Sequence, residues 1–250
     1  MKRMIALGGG CYGLLHVSHL LKARAKGRIE FDRIVVVDRN AVPLVRQRLG
    51  DHPDVEYVQD TWEHFLYQYA RKGGLGPDDE VVPPCIGPHL TLLWLRERIN
   101  RETSLRAEIV PWDIRIGTPF EVTLPVGTHA VSYALWRCPS TCIEPPLCPA
   151  IRGPRDWDME AFVRKHFSRW TVRDRPIDHC EVFVSRHRAW GVATYPAIRF
   201  LEAWDRMERL WQTDPGREWQ VLVATVSACH GLLGVLRVMK GRGDGVTSNE

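Results

Sequence analysis

The opening stretch Met4-Ile-Ala-Leu-Gly-Gly-Gly-Cys-Tyr-Gly13 sets Gly8, Gly10 and Gly13 at G-x-G-x-x-G spacing directly behind a short apolar run. Few local structures accept that spacing. It predicts a strand, a tight turn and a helix: Gly8 permits the turn, Gly10 lets backbone approach a pyrophosphate, and Gly13 lets the helix pack against the strand. Free N–H groups and the positive dipole end of that helix suit an anion. The following sequence completes the unit, with a helix over 14–26 and then Arg33-Ile-Val-Val-Val-Asp38, a buried parallel-strand pattern closed by an acid.

On Gly8, Gly10, Gly13 and Asp38, the first quarter of the chain resembles the Rossmann-type NAD(P)-binding superfamily. The resemblance implies a dinucleotide held by those four residues, with Asp38 on the ribose. A carboxylate accepting from both ribose hydroxyls favours NAD, while the adjacent Arg39 leaves NADP open. The same stretch is similar, more loosely, to class I S-adenosylmethionine-dependent methyltransferases, whose second strand also ends in a ribose-holding acid. Ala6 and Tyr12 depart from that family, standing where it carries an acid before its glycines and its third glycine.

The fold expected is α/β and Rossmann-like: a mostly parallel sheet with an antiparallel extension and a Cys/Pro-rich loop. Residues 1–103 form the nucleotide-binding half, with helices at 41–49, 61–71 and 89–102 and strands at 55–58 and 79–82. Residues 104–240 form the second half. Short strands are expected there at 108–112, 120–124 and 130–136, the last two joined by a hairpin at Pro125-Val-Gly-Thr128. A helix at 158–170, a strand at 180–184, a helix at 195–213 and a strand at 219–227 follow. Residues 241–250 lack apolar anchors and read as a frayed tail.

Between these elements, Cys138-Pro-Ser-Thr-Cys142-Ile-Glu-Pro-Pro-Leu-Cys148-Pro packs three thiols into one proline-stiffened loop. No run approaches the roughly 20 apolar residues of a membrane span, so a cytoplasmic location is expected, where cysteines serve as thiols or metal ligands rather than disulfides. Cys138, Cys142 and Cys148 are therefore candidate ligands for an iron–sulfur cluster or zinc, with a loop free of metal as the remaining reading. Cys85, Cys180, His187, Cys229 and His230 are candidates for a further ligand. All but Cys180 follow predicted strands, and Cys180 opens one, which sends it to the far end. Cys11, Cys180 and Cys229 also suit small buried positions. His16 and His19 lie i, i+3 on the first helix, as a metal pair or a solvated face, and the tryptophans suit core packing.

The function expected is an oxidoreductase in which NAD or NADP meets a small-molecule substrate beside the cysteine loop, with His187 and His230 as general acid and base. Alternatives are methyl transfer from S-adenosylmethionine and a non-enzymatic nucleotide-responsive metal or redox sensor. Thirty-four basic against thirty acidic residues leave a net charge of +4 spread along the chain, which indicates neither nucleic acid nor membrane. Homo-oligomers remain open.

Overall fold

The computed structural model describes residues 1–71, 73–84 and 88–241. Its elements in chain order begin with β1 (Arg3–Leu7), α1 (Cys11–Ala25), β2 (Arg33–Asp38), α2 (Leu44–Leu49), β3 (Val55–Gln59), α3 (Trp62–Arg71), β4 (Glu80–Val82) and α4 (Leu90–Glu102). Then come β5 (Leu105–Val110), β6 (Phe120–Thr123), β7 (His129–Ser132), the short ladder β8 (Leu147–Cys148) with β9 (Gly153–Pro154), and α5 (Met159–His166). A second short ladder, β10 (Thr171–Val172) with β11 (Arg175–Pro176), precedes β12 (His179–Val184), β13 (Arg186–Ala189) and β14 (Val192–Pro196). The chain closes with α6 (Ile198–Thr213), β15 (Trp219–Val226) and β16 (His230–Lys240).

These elements make a mixed α/β structure with two six-stranded sheets. In the first, ordered β13-β14-β4-β1-β2-β3, the strands β4, β1, β2 and β3 are parallel and β14 runs antiparallel beside β4. In the second, β12 lies parallel to β15, while β15, β16, β7 and β6 are antiparallel neighbours. The long β16 pairs with β7 along its first residues and with β5 along its last. No helix among the described residues is long and apolar enough to cross a membrane.

Strand alternation sorts the core into layers. Ile5, Leu7, Val35 and Val37 point into a central core, and Met4, Ala6, Ile34 and Val36 point the other way, against α1 and α2. From the second sheet, Val221, Val223, Leu236 and Val238 enter the same central core, while Leu222, Ala224, Leu233 and Val235 face outward under α5. Helices α3, α4 and α6 fill the space between. A helix held between two sheets is apolar on more than one stripe, which is why α4 buries Leu92 and Leu95 besides Leu90, Trp94 and Ile99.

Two departures from the sequence reading follow from pairing that a local pattern does not reveal. Strands β5, β6, β7, β12, β15 and β16 form a sheet of their own rather than extending the first, and its central strand, β16, carries no sequence expectation because Gly231 and Gly234 interrupt it. Gly234 has a packing reason: a Cβ there would run into the side chain of Leu92 on α4. Residues 186–196, read as a loop and the start of a helix, instead form the β13–β14 hairpin, which adds to the first sheet through Tyr195 opposite Val81. Helix α6 accordingly begins at Ile198. The hairpin at Pro125–Thr128 does join β6 and β7 antiparallel. Cys85 and residues 242–250 lie outside the described residues.

The entry to β4 is held by Asp79, fully buried, which accepts hydrogen bonds from the Arg3 backbone at 2.8 Å, from Arg3 Nε at 3.1 Å, from Gly76 N at 2.8 Å and from the Tyr69 hydroxyl. Burial alone would raise this carboxyl, but the donors from Arg3, Tyr69 and Gly76 outweigh it and hold it below the usual aspartate value. A carboxyl depressed on folding stabilises the protein above its unfolded pKa, and that contribution is lost as pH falls through the folded one. Asp79→Ala should therefore cost about 3–5 kcal/mol in urea unfolding at neutral pH, because Arg3 and Tyr69 lose their partner. Wild-type stability should also decline below the ordinary value of 3.8. The variant should show a shallower decline in that window, and parallel curves would contradict the assignment.

Candidate functional site

The glycine turn has the geometry its spacing demands. Gly8 has φ +108°, a left-handed conformation that favours glycine, and a Cβ on Gly13 would run into the carbonyl oxygen of Gly8. The start of α1 can sit on the turn only because position 13 has no side chain. Gly10 is different: nothing lies within 4 Å of where its Cβ would be, so it faces open space. As N-cap of α1 it provides no side-chain hydrogen bond, and the first turn carries no acidic residue, which leaves the helix N–H groups available to an anion. Asp38, at the end of β2, accepts from Gly9 N at 2.7 Å and from Asn40 N at 2.8 Å. Its carboxylate thus ties the turn to the neighbouring strand and retains further lone pairs.

Because β1 to β4 are parallel, the residues that follow them share one edge of the sheet. A cavity of about 440 Å³ opens there over Gly8, Gly10, Asp38, Asn40, Asp60 and Trp62. A smaller one, about 150 Å³, continues along Gly10 to Gly13 as far as Tyr12 and His16.

On the other side of Tyr12 and His16 lies a third cavity, about 220 Å³, walled by Cys138, Cys142, Cys148, Cys229, His187 and His230, with Trp136, Glu144 and Arg155 alongside. These residues come from separate places. The cysteine loop lies against the β13–β14 hairpin, where Gly191 (φ +79°) has no room for a Cβ beneath the backbone of Ser140. Glu144 fastens the loop to the turn between β15 and β16. Its carboxylate accepts from Ser227 Oγ at 2.6 Å, Ala228 N at 3.0 Å and Cys229 N at 3.1 Å, while its carbonyl accepts from Arg155. Burial would raise the Glu144 carboxyl, but Ser227, His187 and the two backbone donors hold it below the usual range. This carboxylate places Cys229 and His230 against the loop.

Both histidines are oriented through Nδ1. His187 Nδ1 donates to the Cys142 carbonyl at 2.5 Å. His230 Nδ1 lies 2.9 Å from Ser132 Oγ, whose own proton goes to the Ala134 carbonyl, so the imidazole is the donor. That leaves the Nε2 of His230 to face the pocket, 4.0 Å from Cys138 Sγ. Burial, reinforced by His187 and opposed by Glu144, pulls His230 below the ordinary histidine range. Burial likewise raises the Cys138 thiol, with Cys142 and Cys148 adding to it, and pushes Cys229 up to about 11.

Sequence reasoning named Cys138, Cys142, Cys148, His187, Cys229 and His230, and one cavity now contains them all. Cys180 does not line it; that thiol packs under the second sheet and burial pushes it up to about 12. Among the described residues, no three His, Cys, Asp or Glu side chains stand where they could hold a single metal ion. His16, read as a metal partner of His19 or a solvated residue, is buried between two cavities instead. Tyr12, Trp136, Glu144, Arg155 and Trp157 were missed. The one local signal for Glu144 is a lone carboxylate among the prolines and cysteines, and Trp136 lines the cavity with Trp157 tilted against it at 6.2 Å between ring centroids.

Glu144→Ala should remove the acceptor for three buried donors, costing about 2–3 kcal/mol, and should free the loop. Alkylation of Cys138 and Cys142, followed by mass spectrometry, should accelerate at least about tenfold at equal denaturant-free conditions, a change of about 1.4 kcal/mol in opening. Unchanged alkylation would assign the anchoring to the Gly191 and Arg155 contacts instead.

No curated protein and no solved structure matches the chain. Residues 91–239 match the AF_1314_C family, described as an uncharacterized protein, C-terminal domain, and this span includes the cysteine loop, both histidines and the whole second sheet. Since the match covers more than half of the 250 residues, the chain belongs to the AF_1314_C family.

Proposed function

We propose that the protein is a Rossmann-like, dinucleotide-binding oxidoreductase in which a thiol- and imidazole-lined pocket, the seat of a metal or iron–sulfur centre, shares a wall with the nucleotide crevice. The observation that carries this reading is that Tyr12 and His16, on the first turns of α1, line both the glycine cavity and the cysteine cavity. Parallel strands in the order β4-β1-β2-β3, with the glycine turn after β1, support the crevice as a ligand site.

In this reading Gly10 and the N–H groups opening α1 hold a pyrophosphate, and the remaining lone pairs of Asp38 accept from ribose hydroxyls. A bound nicotinamide supplies hydride chemistry. His187 and His230 move the accompanying proton at Nε2, and the depressed pKa of His230 keeps it neutral and able to accept one. The cysteine loop covers the pocket and keeps water from the reacting atoms. The close approach of Gly13 to Gly8 favours a dinucleotide over S-adenosylmethionine, whose proteins depart at this position.

Calorimetric titration of anaerobically prepared protein with NAD(H), NADP(H) and S-adenosylmethionine tests the reading, which fails if only the last binds. Because Gly10 borders open space, Gly10→Leu should weaken dinucleotide binding by at least about tenfold while leaving the melting temperature unchanged. Asp38→Asn keeps an oxygen for one of the two loop amides and removes the charge that repels a 2′-phosphate. It should narrow the preference for NAD over NADP by about tenfold, some 1.4 kcal/mol. A wild-type ratio in that variant would leave Asp38 as a loop anchor only.

A further inference from the structure

We propose that Cys138, Cys142, Cys148 and Cys229 together hold one polynuclear iron–sulfur cluster, with Cys229 as the fourth thiolate; this rests on reading the pocket as a metal centre. The four sulfurs belong to residues that wall a single cavity of about 220 Å³. Three come from the loop, and the fourth arrives from the β15–β16 turn, where Glu144 accepts from the Cys229 amide itself at 3.1 Å.

Size separates a cluster from a single ion. Zinc bound at about 2.3 Å draws four thiolates to roughly 3.8 Å from one another by tetrahedral geometry, and no cavity is left between them. Here the four cysteines wall one cavity, while among the described residues no three His, Cys, Asp or Glu side chains stand where they could share a single ion. A cluster fills such a space with its own iron and sulfide, and its thiolates stand farther apart accordingly.

The hydrogen-bond donors around the cavity suit the same occupant. Cys142 Sγ accepts from the Glu144 amide at 3.3 Å and Cys229 Sγ from the Trp157 indole at 3.3 Å. The indole of Trp136, another wall residue, acts on the Cys138 thiol as a hydrogen-bond donor that favours its thiolate. Donors aimed at sulfur stabilise the negative charge of a thiolate-bound cluster. Cys148 and Cys229 are themselves buried, and Pro139 and Pro145 add apolar surface to the lining. On binding, each of the four thiols gives up its proton as its sulfur bonds to iron.

The test is anaerobic reconstitution of the full chain with ferric iron, sulfide and dithiothreitol, followed by iron and acid-labile sulfide analysis and visible absorption. Wild-type protein should hold iron and sulfide in equal amounts, about two to four of each per chain, with broad charge-transfer bands. Cys229→Ser should lose most of that absorbance, whereas Cys85→Ser and Cys180→Ser should keep it. Should Cys229→Ser fail to fold by circular dichroism, Cys142→Ser, in the loop, gives the same readout. Iron or zinc bound without sulfide would overturn the cluster while leaving a metal centre. Absence of all metal, with dinucleotide binding intact, would overturn both. Full cluster content in Cys229→Ser, or its loss in Cys85→Ser or His230→Ala alone, would remove Cys229 from the fourth position.

Discussion

Helix α4 lies between the two sheets, and the position of everything functional depends on that contact. It presses against β15 and β16, where Gly234 makes room for Leu92, and its buried side chains belong to the same apolar core as the central faces of β1, β2 and β4. Two sheets that share one core cannot slide independently, because a close-packed core transmits displacement rather than absorbing it. The turn at Ser227 to His230 is thereby held opposite the first turns of α1. Neither half contains the pocket alone.

Within that frame a few polar contacts do the fine placement. Glu144 spends its carboxylate on three donors of the β15–β16 turn and has φ +50°, an uncommon conformation for a residue with a side chain, which its hydrogen bonds and the Arg155 contact maintain. The histidines are fixed through the ring nitrogen that does not face the pocket, His187 on a loop carbonyl and His230 on Ser132. Burial raises the Cys138 and Cys229 thiols, which a cation in the pocket would reverse. Imidazoles and thiols thus line one volume beside the N-terminus of α1.

The glycine turn was legible because its requirements are local. Gly8 needs a positive φ, and Gly13 needs to have no side chain against a carbonyl five residues earlier; both are properties of a short stretch. The strands β1 and β2 were legible for a related reason, since a strand buried on both faces reads as an unbroken apolar run. The cysteine loop was legible by composition. By contrast, β16 was hidden by Gly231 and Gly234, whose packing partners include Val131 and Leu92, both distant in sequence. The β13–β14 hairpin was hidden because its arginines and histidine suit a solvated loop as well as an edge strand.

By itself, then, the sequence determined the α/β character of the first quarter, the glycine turn, and which residues carry thiol and imidazole chemistry, because each depends on residue type and near neighbours. Only the tertiary structure decided that β5, β6, β7, β12, β15 and β16 make a second sheet while β13 and β14 join the first. It also decided that Cys229 and His230 meet a loop some 80 to 90 residues away, as in the 4.0 Å approach of His230 to Cys138 across a separation of 92. The physical reason is that such meetings are set by strand pairing and by a helix shared between two sheets, and neither leaves a mark on the local pattern of side chains.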